Sequence, residues 1–164
     1  MMDQPDLDVR RHVHALEALG RANAVSRTAA AVWPSIRAVS RGTAKAPLRV
    51  LDIACGGGHV LFSLARRATR EGADIDWIGW DRSPVATDYA RTLALRRGVE
   101  RVTFELADAL RDPIPAGIDV VLCTLFLHHL PESDAVALLR RIQEAARAAV
   151  VISDLRRTRL GAGF

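Results

Sequence analysis

The chain of 164 residues lacks several features that mark whole classes of protein. It has two cysteines, Cys55 and Cys123, each within an apolar stretch, so a disulfide framework is excluded and two reduced, buried thiols are expected. No apolar run approaches the ~20 residues that a membrane-spanning helix needs. The N-terminal residues 1–6 are acidic and lack the apolar segment of a signal peptide, which predicts a cytoplasmic location.

Lysine and aromatic residues are also scarce, and both shortages bear on the choice of partner. The net charge is +4, but Lys45 is the only lysine, and the arginines are dispersed, mostly in the last turns of predicted helices, where cations suit the helix dipole. Aromatic residues make up 5%, too few for the stacking platforms that bind single-stranded nucleic acid. The sequence therefore argues against a nucleic-acid partner. Acidic residues and histidines do not cluster at metal-ligand spacing, so no metal site is predicted.

The remaining composition is that of an ordinary globular protein, with 49% hydrophobic and 26% charged residues. A chain of this length can bury the core of one domain without disulfides or metals. We divide it into an N-terminal helical arm over residues 1–46, an alternating strand–helix body over 47–155, and a frayed or truncated tail over 156–164.

The arm shows apolar residues at helical spacing in two places. The first segment contains Val13, Leu16, Leu19 and Ala24, and the second contains Val32, Ile36 and Val39. Pro34 lies within the second place and predicts a break or a helix start there. Residues 40–47 are the predicted linker to the body.

The body alternates short apolar runs with amphipathic segments. The runs predict strands at 48–55, 75–80, 102–106, 118–125 and 149–153, and the amphipathic segments predict helices at 60–71, 83–97 and 131–147. The fourth run is continuously apolar, which is typical of a strand buried on both faces. Such alternation predicts right-handed crossovers and a doubly wound parallel α/β sheet, with about five strands in the order 3-2-1-4-5.

A glycine-rich loop follows the first predicted strand, at residues 54–58 (Ala-Cys-Gly-Gly-Gly). Open parallel sheets bind ligands beyond the carboxyl ends of their strands, where the strand order reverses, and this strand ends there. Glycines let the backbone approach a ligand closely, and the next helix offers unpaired amide groups. The alternative interpretation is a tight turn that binds nothing.

Two acidic residues flank this loop. Asp52 lies inside the first strand, and because a buried carboxylate is costly, we expect it to meet a hydrogen-bond donor at the end of the strand. Asp81 ends the second strand, 23 residues after Gly58, a spacing at which an acidic residue binds both hydroxyls of a ribose. The alternative for Asp81 is a turn or cap ahead of the predicted helix start at Ser83-Pro84.

With these residues, the body resembles class I S-adenosylmethionine-dependent methyltransferases with a Rossmann-like fold over about residues 48–155. Four of that family's motifs occur in order, at residues 51–58, 78–84, 106–109 and 119–130. Ala54 stands where glycine is commoner in the family. The rival dinucleotide fingerprint Gly-x-Gly-x-x-Gly fits poorly, because Gly58 is followed by His59, Val60 and Leu61.

The resemblance implies S-adenosyl-L-methionine as cofactor and assigns roles to particular residues. Asp81 would bind the ribose and Asp108 would face the adenine amino group. The residues implied in cofactor binding are Asp52, Ala54, Cys55, Gly56, Gly57, Gly58, Asp81, Arg82, Asp108, Ala109 and Thr124. In the family an N-terminal arm of this kind acts as a lid.

Methyl transfer mainly requires that the acceptor be aligned with the donor, and a base is needed only where the acceptor starts protonated. His128 and His129 are the candidates for such a base, with no preference between them, and shaping the cofactor pocket is their alternative role. His59 either touches the cofactor or lies at the surface. Asp154 either contacts the acceptor or pairs with an arginine of the tail.

The resemblance favours a small lipophilic or aromatic metabolite as the acceptor. Two alternatives stay open: a non-catalytic cofactor-binding remnant or partner subunit, and an RNA methyltransferase, which the basic charge suggests. Members of the family continue past strand 5 with a helix and a β-hairpin, and this chain lacks those strands. Strand 5 is therefore predicted to have an apolar edge with no neighbouring strand from this chain. Either the chain is truncated there, or a second copy, a partner chain or a loose arm covers the edge.

Overall fold

The computed structural model describes residues 28–42 and 47–154, together with the single positions 15 and 18. The helices are α1 (Thr28–Gly42), α2 (His59–Arg70), α3 (Pro84–Arg97) and α4 (Glu132–Ala145), with a 3₁₀ turn at Leu127–His129. The strands are β1 (Leu48–Ile53), β2 (Ile75–Asp81), β3 (Val102–Leu106), β4 (Val120–Thr124) and β5 (Ala149–Ser153). Every strand and helix expected in the body is present. The first apolar repeat of the arm, from Val13 to Ala24, and the tail lie outside the described residues.

The five strands form one parallel sheet in the order β3-β2-β1-β4-β5, which confirms the predicted topology. The continuously apolar β4 is buried along its whole length. The strand order reverses at β1, so the carboxyl ends of β1 and β4 flank the point at which doubly wound sheets bind ligands.

Two apolar cores cover the two faces of the sheet. On one face, α1, α2 and α3 pack against the side chains of Val50, Trp77 and Leu122. On the other face, Leu138 and Ile142 of α4 pack against the neighbouring positions of the same strands. The alternation of side chains thus divides β1, β2, β4 and β5 between the two cores, whereas β3 contributes only to the first.

The prediction of a break or helix start at Pro34 was wrong, because α1 continues through it. Proline in a helix interior costs ~3 kcal/mol, since it cannot donate a hydrogen bond to the carbonyl four residues earlier. Val32, Trp33 and Ile36 are buried in the core, and each buried side chain of this size contributes ~1.5–3 kcal/mol. Tertiary burial therefore outweighs the local penalty. The helix ends at Gly42, so residues 40–42, which the prediction assigned to the linker, are helical.

The outer edge of β5 is open within the part of the chain that the structure describes. No strand there pairs with it, and the side chain of Ile152 is 43% exposed. The open apolar edge and its covering by a second copy, a partner or the arm both stay predictions. No helix among the described residues has the length and apolarity that a membrane span requires.

Replacing Pro34 by alanine tests the continuity of α1. Pro34 is exposed and lies in the helix interior, so Pro34→Ala restores the missing backbone hydrogen bond without disturbing the core. We expect the free energy of unfolding to rise by about 1–3 kcal/mol in urea titrations. The neighbouring exposed substitution Ser35→Ala is the control and should change it by about 0.5 kcal/mol. An unchanged or lowered free energy of unfolding in Pro34→Ala would contradict a helix α1 that continues through position 34.

Candidate active site

Three residues of the loop after β1 adopt a left-handed backbone conformation that favours glycine. The φ angles are 54° at Gly56 and 75° at Gly58, and Ala54, with φ 56°, adopts the same region despite its side chain. The Cys55 amide donates to the Trp80 carbonyl over 2.9 Å, and the Gly58 amide donates to the Cys55 carbonyl over 3.0 Å. The loop is thus fastened to β2 as well as to itself.

Close packing also requires glycine in this region. A Cβ atom on Gly58 would lie 2.5 Å from Phe104 Cζ, and one on Gly79 would lie 2.6 Å from Phe104 Cδ1. A Cβ on Gly57 would lie 3.0 Å from the Tyr89 ring. Phe104 of β3 and Tyr89 of α3 therefore support the loop from behind, and neither was predicted as part of the site. Gly79 inside a strand was the available signal, since such a glycine often marks close approach.

Asp81 joins the loop to the start of α3. One carboxylate oxygen accepts the Gly56 amide and the other accepts the Ser83 amide, each over 2.8 Å. Ser83 in turn caps α3 by accepting the Ala86 amide over 3.3 Å. Asp81 therefore forms the turn that was its alternative role. Each of its oxygens retains a second lone pair, so it is also able to accept a ribose hydroxyl.

Asp52 has no hydrogen-bond donor among the described residues, so the expectation of one at the end of β1 was wrong. Its side chain is 1% exposed, and neither carboxylate oxygen has a partner. The backbone register places it beside Gly79 of β2 and Leu122 of β4, which offer no polar side chain. Burial, and secondarily repulsion by Asp81, raises the pKa of Asp52 well above its ordinary value. A cation or donor on a ligand would relieve this cost.

Both cysteines are free thiols, as predicted, although Cys55 is only partly buried. Burial raises the pKa of Cys55 well above its ordinary value, and the charges of Asp52 and Asp81 raise it further. Burial likewise raises the pKa of Cys123 to about 12. Because the thiolate is the reactive form, neither cysteine is suited to act as a nucleophile.

The other predicted cofactor residues lie along the same edge of the sheet. Asp108 follows β3, and its carboxylate accepts the Leu110 amide over 2.9 Å. Ala109 and Thr124 are buried, and Arg82 is exposed. The structure therefore brings the predicted residues of four strand ends to one edge.

The two histidines after β4 have different surroundings. His128 Nδ1 lies 2.6 Å from one oxygen of Asp154, and the His128 amide donates to the other oxygen over 3.2 Å. His129 is exposed, and its ring centroid lies 3.9 Å from that of His128. Asp154 thus contacts a histidine, which neither of its predicted roles included. The arginines proposed to pair with it lie outside the described residues.

His59 is the remaining candidate. The His59 ring packs against Tyr89 with centroids 5.9 Å apart. Trp33, Trp77 and Trp80 are core residues, and Trp80 Nε1 donates to Glu105 over 3.0 Å. Within residues 28–42 and 47–154, no three acidic, histidine or cysteine side chains form a group that could hold a metal.

Comparison with known proteins matches a family model described as "Methyltransferase domain" to residues 50–149. The chain belongs to this family. The five-stranded sheet and the similarity to solved S-adenosylmethionine-dependent methyltransferases place it in the class I, Rossmann-like group. The family assignment that the four motifs suggested is therefore confirmed.

Three similar proteins illustrate the relationship. The ubiquinone biosynthesis O-methyltransferase of Aeromonas salmonicida is 37% identical over 112 residues, which are 66% of this chain and 44% of that protein. A structure of an O-methyltransferase from neocarzinostatin biosynthesis, in complex with S-adenosyl-L-homocysteine and 1,4-dihydroxy-2-naphthoic acid, is 28% identical, with a TM-score of 0.56 over 63% of this chain and 31% of that one. The plantazolicin methyltransferase BpumL shares the fold, with a TM-score of 0.69 at 21% identity over 97% of this chain and 58% of that one. The chain spans less than half the length of the curated relatives it matches.

S-adenosyl-L-methionine is the cofactor of this family, and the residues present fit it. The observation that supports the fit is the buried, unpartnered carboxyl of Asp52 beside the loop that Asp81 braces. A ligand that carries an ammonium group and a ribose supplies both a cation and hydroxyl donors for two such carboxyls.

The unpartnered carboxyl predicts a stability gain in Asp52→Asn. Unfolded Asp52 ionises near 3.8, whereas the folded residue ionises only at higher pH. The free energy of unfolding should therefore fall as the pH rises from about 3.8 through the folded pKa, and Asp52→Asn should lack that fall. At neutral pH we expect the variant to be more stable by at least about 1 kcal/mol.

Urea titrations of both proteins between about pH 4.5 and 8 measure this difference. Asp88→Asn, which alters an exposed carboxylate on α3, is the matched control and should shift stability by less than about 0.5 kcal/mol at every pH. Parallel pH profiles for wild type and Asp52→Asn would contradict the description of Asp52 as a buried carboxyl without a donor.

Proposed function

We propose that this chain catalyses S-adenosylmethionine-dependent methyl transfer to a small-molecule acceptor. The observation that carries the proposal is the glycine loop at the switch point, braced by Asp81 and adjoined by the unpartnered Asp52. In a member of this family, these residues are those expected to hold the donor. The residues proposed to bind it are Asp52, Ala54, Cys55, Gly56, Gly57, Gly58, Asp81, Arg82, Asp108, Ala109 and Thr124.

The donor is already activated, so the chain has to position an acceptor and exclude water. We place the acceptor beyond β4 and β5, beside the turn at Leu127–His129. A lipophilic or aromatic acceptor is supported by two relatives, an O-methyltransferase of ubiquinone biosynthesis and a structure that holds a dihydroxynaphthoic acid.

Of the two candidate bases, His128 is better supported than His129. The carboxylate of Asp154 holds both the ring and the backbone amide of His128, whereas His129 is exposed. We therefore propose His128 as the base and His129 as part of the acceptor surface.

A second candidate function is cofactor binding without transfer by this chain alone. The observation that favours it is the outer edge of β5, with which no described strand pairs. Ile152 on that edge is exposed and suits contact with a second copy or a partner chain. We also propose a cytoplasmic location and a bacterial origin for this chain. The bacterial origin is supported by the bacterial relatives.

Transfer of a labelled methyl group from S-adenosylmethionine to a panel of phenols, enols, amines and thiols separates these functions. Labelled product from the wild-type chain supports the enzyme. Binding of S-adenosylhomocysteine without any labelled product supports the second candidate. A folded chain that binds neither S-adenosylmethionine nor S-adenosylhomocysteine at millimolar concentration contradicts both candidate functions.

Replacing Asp81 by alanine should weaken binding of S-adenosylhomocysteine by at least about tenfold. Hydrogen bonds to a charged acceptor contribute ~1.5–3 kcal/mol each, and ~1.4 kcal/mol corresponds to a factor of ten. The variant also releases the Gly56 amide, which loosens the loop. Calorimetric titration measures the affinity, with Asp88→Ala on the exposed face of α3 as the control. Equal affinity in Asp81→Ala and wild type would show that Asp81 serves only the turn.

A further inference from the structure

We infer that Arg141 of α4 is a positioning residue for adenine recognition, because its guanidinium holds the loop that carries Asp108. The inference rests on the proposed function, in which Asp108 faces the adenine amino group. It deepens that function by naming the residue that fixes the place of the Asp108 carboxylate, and by stating which ligands the chain then distinguishes.

The loop after β3 is a compact turn with Asp108 at its start. The amides of Arg111 and Asp112 both donate to the Asp108 carbonyl, over 2.9 and 2.8 Å. Side chains close the turn in both directions, because the Leu110 amide donates to the Asp108 carboxylate over 2.9 Å and the Asp108 amide donates to the Asp112 carboxylate over 2.8 Å. The turn therefore behaves as one unit, and a group that holds the turn also holds the Asp108 carboxylate.

Arg141 attaches this turn to α4. Its Nε donates to the Ala109 carbonyl over 3.0 Å, and its Nη2 donates to the Asp112 carbonyl. The guanidinium is planar and rigid, so two of its donors on two carbonyls fix both the position and the orientation of the turn. Because both acceptors are backbone carbonyls, Arg141 acts on the course of the loop itself.

Helix α4 is a rigid support for this contact. Leu138 and Ile142, which precede and follow Arg141 on the helix, are fully buried and pack in the core against β1 and β4. At its other end the loop is attached to β2, because the Ala107 amide donates to the Asp81 carbonyl over 3.0 Å. The loop is thus held between α4 and the strand end that carries Asp81.

The carboxylate of Asp108 retains the capacity to bind a ligand. One oxygen accepts the Leu110 amide and keeps a second lone pair, and the other lies 3.7 Å from Arg111 Nε, beyond hydrogen-bond distance. The side chain of Asp108 is 30% exposed, so a ligand can reach it. An exocyclic amino group of a purine can donate to such an oxygen, whereas a hydrogen atom in its place cannot.

Displacement of the turn should affect selectivity more than affinity. A hydrogen bond weakens steeply when its distance or angle departs from the optimum, so a loosened Asp108 loses its bond to the amino group. The contact of Asp81 with the Gly56 amide lies on β2 and the loop after β1, and it does not involve Arg141. A ligand without the amino group should therefore bind equally well with or without Arg141.

Amide hydrogen exchange in the full chain tests the positioning without any ligand. The amides of Leu110, Arg111 and Asp112 are bonded within the turn, so their exchange reports its opening. We expect Arg141→Gln to speed exchange at these amides by about fivefold or more, because two hydrogen bonds to the turn are lost. Arg140→Gln, at the neighbouring exposed position, is the matched control and should leave exchange unchanged. Equal protection in Arg141→Gln and the wild type would overturn the positioning role.

Calorimetric titration tests the selectivity, with S-adenosylhomocysteine and its analogue that carries hydrogen in place of the 6-amino group. Loss of a hydrogen bond to a charged acceptor lowers affinity by about tenfold or more, so the wild type should prefer S-adenosylhomocysteine by at least that factor. We expect Arg141→Gln to lower the preference to about threefold or less, with the affinity for the analogue changed by less than about twofold. Arg140→Gln should keep the wild-type preference. Arg141→Met, which keeps an unbranched side chain, replaces Arg141→Gln if that variant does not fold.

A variant of Asp108 shows whether Arg141 acts through this carboxylate. In Asp108→Ala the preference for the 6-amino group should be lost. Adding Arg141→Gln to Asp108→Ala should change the preference no further, because both substitutions remove the same contact. An additional loss of preference in the double variant would show that Arg141 acts on the amino group by another route, and would overturn the inference.

The outcomes separate this inference from the proposed function. An equal loss of affinity for both ligands in Arg141→Gln would show that Arg141 serves only the stability of the fold, and would overturn the inference. A wild-type chain that binds both ligands equally well would also overturn it, because Asp108 would then not recognise the amino group, and the methyltransferase would stand. A folded wild-type chain that binds neither ligand contradicts the proposed function itself.

Discussion

The carboxylate of Asp81 is the contact on which the candidate site depends. It accepts the amide of Gly56 and the amide of Ser83, and so it fixes the glycine loop relative to the start of α3. Behind the loop, Phe104 fills the space that a side chain at Gly58 or Gly79 would need. The same carboxylate adds to the pKa rise of buried Asp52. The arrangement that shapes the loop therefore also leaves the buried carboxyl of Asp52 without a cation or a hydrogen-bond donor, which a ligand would supply.

Much of the fold could be predicted because its signals are local. The short run at 102–106 marked β3, and Ser83-Pro84 marked the start of α3, where the structure has a serine cap. The strand order followed from the regular alternation of strands and helices. Pro34 shows the limit of local rules, since burial of the neighbouring Trp33 and Ile36 keeps α1 continuous through it.

The contacts that define the site were less predictable, because they join residues distant in sequence. His128 and Asp154 lie 26 positions apart, and only the register of β4 with β5 shows that they meet. The absence of a donor for Asp52 depends on which backbone positions of β2 and β4 lie beside it. Phe104 packs behind the glycines only because β3 lies next to β2. Residue types and spacing identified the motifs, while the sheet register determined how their side chains meet.

The central claim is that the glycine loop and its two carboxyls form the cofactor site. It is tested most directly by counting the protons released when S-adenosylhomocysteine binds, using calorimetry in buffers of different ionisation enthalpy between about pH 5 and 8. The ligand's ammonium group should favour ionised Asp52, so the wild-type chain should release protons that Asp52→Asn does not. Identical proton counts for the two proteins across this range, or no binding by the folded wild-type chain, would contradict the claim.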